Sequence, residues 1–191
     1  MLGTTARVLA VAGSLVLSAS PAFAQATGTM SESGRPLRLG GMLGASLPLG
    51  DFGDAAEVGF HIGALGEFAQ PTWPFAFRGE ITYHRHGAKD IDGNASVLSF
   101  VPNIIFPFGD PAATARPYII GGLGLHRVSV EIDVPGFGDA EETETKFGLN
   151  VGGGINFNLA GFDTFIEARW HSVFTSGEST NFIPLSFGFK F

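Results

Sequence analysis

The sequence predicts an all-β chain, an eight-stranded antiparallel transmembrane β-barrel built as an up-and-down meander, and three observations predict it. Apolar residues alternate with polar or small residues along many short segments, which is the pattern of strands with one apolar face. Gly, Pro and Asp residues separate these segments as turn signals. Finally, 15% of the 191 residues are charged and 45% are hydrophobic, whereas soluble domains carry about 25% charged residues.

The alternation is clearest in the sixth of the eight segments. From Phe147 to Leu159 the odd positions are apolar or Gly, and the even positions are Gly or Asn. The last segment separates its aromatic residues from Lys190 in the same way. In chain order, the predicted strands are residues 37–49, 58–68, 75–86, 97–108, 118–132, 147–159, 164–174 and 183–191.

Two of these strands contain residues that weaken a hydrogen-bonded ladder. Pro102 lies inside the fourth strand and has no N–H to donate, and the run from Gly121 to Gly124 blurs the alternation of the fifth. We therefore expect a β-bulge at each place, since a bulge accommodates a residue that does not pair.

The N-terminal 24 residues predict a secretory signal peptide. Arg7 supplies the positive charge, residues 8–18 the apolar stretch, and Ala22-Phe23-Ala24 the small-residue cleavage site. The apolar stretch is too short for a membrane helix, which needs about 20 residues. Residues 25–36 predict a flexible lead-in, and residues 37–191 the barrel domain.

The apolar face of the strands is predicted to point outward, against lipid. The chain has too few charged residues to coat a soluble barrel, and its polar face, with Gly, Asn and isolated Arg and Glu, suits a narrow interior. Longer predicted connections alternate with short turns, as in outer-membrane barrels, and closure satisfies every backbone group in lipid. A soluble periplasmic barrel with the apolar face inside is the alternative.

Aromatic residues fall near both ends of the predicted strands, where the interfacial girdles of membrane barrels lie. Those at the end that carries the chain termini are Trp73, Phe75, Phe106, Phe108, Tyr118, Phe189 and Phe191. Those at the opposite end are Phe60, Tyr83, Phe147 and Phe174.

Together, the signal peptide, the alternation and the terminal Phe189-Lys190-Phe191 resemble the small eight-stranded outer-membrane barrels of the OmpA/OmpX type. The resemblance covers residues 37–191. It implies export to the outer membrane of a Gram-negative bacterium, contact with outer-membrane lipids and lipopolysaccharide, and recognition of Phe189 and Phe191 by the barrel-assembly machinery. We expect a monomer.

Parity places a set of charged residues inside the barrel, in the half near the termini. A turn at residues 71–74 sets Glu67 opposite Arg78 and His61 opposite His84, and a slip by one residue would mix the faces. The predicted interior ion-pair network comprises Arg38, Glu67, Arg78, Glu80, Glu167, Arg169 and Lys190. These charges should be paired, because an isolated buried charge is costly.

A predicted interior histidine cluster lies nearer the other end and comprises His61, His84, His86 and His171. His84 and His86 share a strand face, which is a spacing that a metal site uses. No carboxylate falls beside them, so we interpret the histidines as polar filling and expect no metal.

The predicted outer loops are acidic, with Lys89 and, directly before the sixth strand, Lys146 as their basic residues. Their acidic residues are Asp51, Asp54, Glu57, Asp90, Asp92, Asp133, Asp139, Glu141, Glu142, Glu144 and Glu178. They either solvate the turns, hold divalent cations that bridge to lipopolysaccharide phosphates, or present an interaction surface. The run from Asp90 to Asn94 fails the calcium-loop motif, because Gly93 comes one place early and Val101 replaces the closing Glu.

Several function classes are disfavoured. The net charge of −7 argues against nucleic acid as a partner, and the absence of Cys excludes disulfides and thiol catalysis. His171 and Ser172 are adjacent and His126 and Ser129 are three apart, so neither pair shares a strand face. We expect no catalytic residues and no cofactor, with an enzyme acting on outer-membrane lipid as a minor alternative.

These observations predict a barrel with a side-chain-filled interior and no enzymatic activity. Its expected role is envelope-structural or surface interaction through the acidic outer loops. The alternative is a narrow outer-membrane channel for small or apolar solutes.

Overall fold

The computed structural model describes residues 36–89, 93–110, 113–134, 138–159, 162–174 and 179–191. The predicted signal peptide, the lead-in up to residue 35, Asp90, Asp92 and Glu178 lie outside the described residues. Among the residues described, no helix is long and apolar enough to cross a bilayer.

Eight strands and one short helix make up the described chain. They are β1 (Leu37–Leu49), α1 (Asp51–Ala55), β2 (Gly59–Ala69), β3 (Ala76–Gly87), β4 (Gly93–Pro107), β5 (Ala115–Val134), β6 (Gly138–Leu159), β7 (Phe162–Phe174) and β8 (Ser179–Lys190). Each strand pairs antiparallel with the next, and β1 pairs with β8, so the sheet closes into a barrel. The predicted fold class is confirmed. We call the end that carries Leu37 and Lys190 the termini end, and the opposite end the loop end.

Side chains alternate between the lumen and the outside along the strands, most regularly in β3. Along β3, residues at even positions are buried and those at odd positions from 77 to 85 are exposed. The outward face is apolar over most of the barrel, with Ile81, Phe100 and Phe147 among its exposed residues. This arrangement fits a membrane barrel, whose lipid-facing and lumen-facing positions alternate.

Neither predicted bulge is present, so this expectation was wrong. In the β4–β5 pair, Phe100 lies opposite Leu125 and Asn103 opposite Gly122, so the register is the same on both sides of Pro102. The β4–β5 ladder tolerates Pro102 because pairing is interrupted only at residues 101 and 102 and resumes in the same register at Asn103. The residues from Gly121 to Gly124 likewise pair one to one with β6.

The predicted contrast between long outer loops and short turns is also wrong. The connections at the loop end are residues 50–58, 88–92, 135–137 and 175–178, and those at the termini end are 70–75, 108–114 and 160–161. Residues assigned to loops instead continue the strands, above all in the β5–β6 hairpin, which remains paired as far as Val134 and Gly138. The β-branched residues Val128, Val130 and Ile132 favour this extension.

Inward-facing glycines let large side chains fill the narrow lumen. Gly188 lies opposite Phe165 in the β7–β8 pair, and the Phe165 ring occupies the space where a side chain at position 188 would stand. Near the termini end a small apolar cluster, which includes Met42, Leu65 and Ile105, packs with Phe165. Apolar side chains therefore pack inside the lumen near the termini end, among the charged groups described below.

Candidate functional site

An ion-pair network fills the half of the lumen nearer the termini end. Its members are Arg38, Glu67, Arg78, Glu80, Asp163, Glu167, Arg169 and Lys190. At its centre the buried Arg78 guanidinium donates from Nη2 to Glu67 and from Nη1 to Glu167, both at 2.9 Å. Glu80 Oε1 lies 3.5 Å from the same Nη1. Carboxylates from β2, β3 and β7 thus converge on one guanidinium across the lumen.

Further ion pairs extend the network along the barrel axis. Towards the loop end, Arg169 Nη1 donates to Glu80 at 2.7 Å, and Arg169 Nε lies 2.8 Å from Glu167 Oε1. Towards the termini end, Lys190 Nζ donates to Glu67 at 3.0 Å. The ion-pair network therefore connects three levels of the lumen, because Glu67, Glu80 and Glu167 each pair with more than one cation.

At the termini end the network closes on Arg38. Its Nη2 donates to Glu67 at 3.0 Å, and its Nη1 forms an ion pair with Asp163. Asp163 is not among the predicted network residues, because the predicted seventh strand begins at residue 164, whereas β7 begins at Phe162. With Asp163, the network within the described ranges has four cations and four carboxylates, and the charges balance.

Two aromatic rings pack against Arg78. The guanidinium carbon lies 4.7 Å from the ring centre of Phe165 and 5.6 Å from that of Tyr118, whose hydroxyl donates to Glu167 at 2.7 Å. The assignment of Tyr118 to an outward aromatic girdle is wrong, because even positions of β5 face the lumen and Tyr118 is buried. At the same end of the barrel, Trp73 does pack with other outward aromatic rings.

On the loop-end side of the network lies a histidine cluster, whose members are all buried: His61, His84, His86, His126 and His171. The rings of His61 and His84 stack at 5.1 Å, and His171 lies 6.2 Å from both His84 and His126. His86 stands apart, nearer the loop end, and its Nδ1 donates to the Glu57 carbonyl at 3.1 Å. Four of these residues form the predicted histidine cluster, and His126 is an additional member.

Phe182 is the apolar partner of the histidine cluster. Its ring stacks on His171 at 5.0 Å and meets His84 edge-on at 5.0 Å. Both ring nitrogens of His171 are buried without a hydrogen-bond partner in the described part of the chain. No group of three or more His, Asp or Glu side chains in the described ranges is arranged to hold a metal ion.

Serine hydroxyls contact the histidines across strands. A hydrogen bond of 2.8 Å joins Ser99 Oγ and His126 Nδ1, which are direct partners in the β4–β5 register. Another, of 2.9 Å, joins Ser186 Oγ and His61 Nε2. The spacing of residues along one strand does not predict these contacts, because they depend on the register between neighbouring strands.

The remaining predicted site residues lie on the outside or at the loop end. Phe189 and Phe191 are exposed, with ring centres 6.3 Å apart, and Phe191 pairs with Leu39 through both backbone hydrogen bonds. Asp51 and Asp54 belong to α1. The predicted loop residues Asp133, Asp139, Glu141, Glu142 and Glu144 lie in strands of the β5–β6 hairpin.

A closed barrel with an apolar outside and a charged, packed lumen agrees with what sequence comparison finds. Residues 9–191 match the family model described as the outer membrane protein beta-barrel domain. The chain belongs to this family. A comparison with curated protein sequences finds no match.

Solved outer-membrane barrels share the fold of this family member. Neisserial surface protein A is similar with a TM-score of 0.63 and 18% identity, over 83% of this chain and 98% of that one. A major outer membrane protein from Thermus thermophilus gives 0.60 and 10%, over 82% and 100%. The outer membrane enzyme PagL gives 0.55 and 15%, over 80% and 97%. At these identities the likeness establishes the transmembrane barrel fold.

Proposed function

We propose that this protein is a sealed, non-enzymatic barrel of a Gram-negative outer membrane, exported by a cleaved signal peptide, that acts through its outer surface. The loop end would face outward and the termini end the periplasm. The observation that carries the proposal is the burial of the ion-pair network. The side chains of Arg78 and Glu167 have no exposed area, whereas a water-filled path would leave the groups lining it accessible.

Charge balance supports a structural role for the network. Each carboxylate near Arg78 is already paired, so a passing ion would have to displace a buried partner. The histidine cluster and Phe182 add a second packed level above it. A solute crossing the barrel would therefore have to displace both the ion-pair network and the histidine cluster with Phe182.

Conductance in planar bilayers tests whether the lumen is sealed. We expect the purified barrel to show no steps, or small ones. The double variant Glu80→Ala/Arg169→Ala should raise conductance, because it removes two large side chains from the lumen and keeps the charges balanced. Arg78 and Glu167 each lose one contact but remain paired with each other. Lys89→Gln, in an exposed connection, is the matched control and should behave like the wild type. Large, stable single-channel steps from the wild type would instead establish the narrow channel.

The β5–β6 hairpin supports the surface role. β6 pairs with β7 from Gly148 onward, whereas its pairing with β5 continues to Gly138, so the hairpin extends beyond the described end of β7. Glu131, Glu142 and Glu144 lie in this hairpin, and all three are exposed. An acidic hairpin of this kind favours a cationic partner, which would offset the concentration of negative charge.

A fluorescent oligolysine peptide is a suitable probe for this acidic surface. On barrels in neutral vesicles, we expect Glu142→Gln/Glu144→Gln to weaken peptide binding about fivefold, and high salt to weaken it further. Asp51→Asn/Asp54→Asn removes the same number of acidic charges from α1, at the same end of the barrel, and serves as the control. Equal losses in both variants would mean that net charge, and not the hairpin, attracts the peptide.

The burial of the serine–histidine contacts supports the absence of enzymatic activity. Ser99 and His126 are each 1% exposed inside the lumen, where a membrane lipid does not reach them. Among the described side chains, no carboxylate contacts His126, so the pair lacks the third group that orients a catalytic base. Release of fatty acid from labelled lipid A by the purified barrel would contradict this proposal.

A further inference from the structure

The outward face of β3, β4 and β5 changes from apolar to polar within two rows of residues. In one row Ile81, Phe100 and Leu125 lie side by side, and all three are apolar and exposed. The next row towards the loop end holds Tyr83, Leu98 and Arg127, and the row after it Arg85, Ser96 and Ser129. The edge of the lipid-facing belt on this side of the barrel therefore lies at the row of Tyr83.

Two arginines stand at this edge. Of the described strand residues, Arg85 and Arg127 are the basic side chains that point outward. Neither forms an ion pair within the described part of the chain. They lie on β3 and β5, in neighbouring rows and with β4 between them, so their strands are about 10 Å apart. Long cationic side chains at a bilayer edge extend towards the headgroups, where anions are available.

A polar pocket of about 250 Å³ lies at Arg85, and Arg127 lies one row away from Arg85 towards the termini end, outside the pocket lining. It is lined by Tyr83, Arg85, Asn94, Ser96, Ser129 and Glu131. Hydroxyl and amide groups of this kind bind sugar hydroxyls, while a guanidinium binds phosphate with two parallel hydrogen bonds. Glu131 lies on the loop-end side of the pocket and would accept hydrogen bonds from hydroxyls but repel phosphate.

We propose that Arg85 and Arg127, with this pocket, bind a phosphorylated glycolipid of the leaflet at the loop end. The arginines hold phosphate, the pocket holds the sugar, and the acyl chains lie over Leu98, Phe100 and Leu125. The assignment places each chemical part of one lipid against a matching surface. The choice of leaflet rests on the orientation proposed above, whereas the site does not depend on a sealed lumen, since it is on the outside of the barrel.

Native mass spectrometry of the folded barrel in detergent tests the proposal, with diphosphorylated lipid A as the probe. We expect Arg85→Gln and Arg127→Gln each to weaken binding about fivefold to tenfold, as loss of a charge-assisted contact does. Lys89→Gln removes a charge at the same end, outside the pocket, and should stay within about twofold of the wild type. Heat-dependent gel mobility verifies that each variant is folded.

Three further ligands identify the chemistry that is recognised. Dephosphorylated lipid A should bind about as weakly to the wild type as the diphosphorylated lipid binds to the double variant Arg85→Gln/Arg127→Gln. Phosphatidylglycerol should bind less tightly than lipid A, because it lacks the sugar. Inorganic phosphate at the same concentration should not displace lipid A. The proposal would be overturned if dephosphorylated lipid A or phosphatidylglycerol bound the wild type as tightly as diphosphorylated lipid A does. It would also be overturned if inorganic phosphate displaced lipid A, or if Lys89→Gln weakened binding as much as the arginine variants do.

Discussion

Replacing Arg78 with alanine is expected to lower the free energy of unfolding by about 3–5 kcal/mol. The guanidinium contacts Glu67, Glu80 and Glu167 in a part of the lumen that water does not reach. Without it, three carboxylates face each other with fewer counter-charges, and removal of one partner from a buried ion pair leaves an uncompensated charge. Urea titration of the barrel folded in lipid vesicles, followed by tryptophan fluorescence, measures the loss.

Two variants separate the geometry of this arginine from its charge. Arg78→Lys keeps the charge but has one ammonium group in place of five N–H donors spread over a plane, so we expect an intermediate loss. Lys89→Gln removes an exposed charge and should change stability by less than about 0.5 kcal/mol. An Arg78→Ala variant as stable as the wild type would mean that the network contributes little to folding.

The fold and part of the network could be predicted because the side-chain period of a strand is two. A short turn between β2 and β3 fixes their register, and with it the opposition of Glu67 and Arg78 and of His61 and His84. A register shifted by one residue would place these polar groups in lipid. The short turn and the need to keep charged residues out of lipid therefore favour the same β2–β3 register, and both can be recognised in the sequence.

The interior of β5 could not be predicted with the same security. The glycines from Gly121 to Gly124 carry no side chain, so alternation gives no information across them, and an expected bulge there leaves the parity of the strand open. The direct pairing of these glycines with β6 decides it and turns both Tyr118 and His126 inward. Contacts across strands, such as Ser99 with His126, then follow from the register.

The acidic hairpin was misassigned for a different reason. Asp and Glu are depleted in strands, so a run that includes Asp139 and Glu141 suggests a loop. Beyond the lipid belt, however, the backbone hydrogen bonds of β5 and β6 continue without a change of register as far as Val134 and Gly138. Hairpin pairing here overrides local composition, which a single segment of sequence does not reveal.

The contact between Phe165 and Gly188 carries the second large predicted effect on the free energy of unfolding, and altering it tests how the lumen is packed. Phe165 is fully buried, lies opposite Gly188, and places its ring under Arg78 and 5.7 Å from Lys190 Nζ. We expect Phe165→Ala to cost about 3–5 kcal/mol, because it leaves a cavity beneath the network. Gly188→Ala should cost about 1–3 kcal/mol, since the added methyl group would overlap the ring.

A double-mutant cycle separates this contact from general damage. In Phe165→Ala/Gly188→Ala the methyl group enters space that the ring has left, so the combined cost should fall below the sum of the single costs by about 1–2 kcal/mol. Recovery is partial, because the Gly41 carbonyl oxygen remains 2.9 Å from the added carbon. Gly79→Ala, on the open outward face, serves as the control and should be nearly neutral. Strictly additive costs would show that the ring and the glycine do not share the same space.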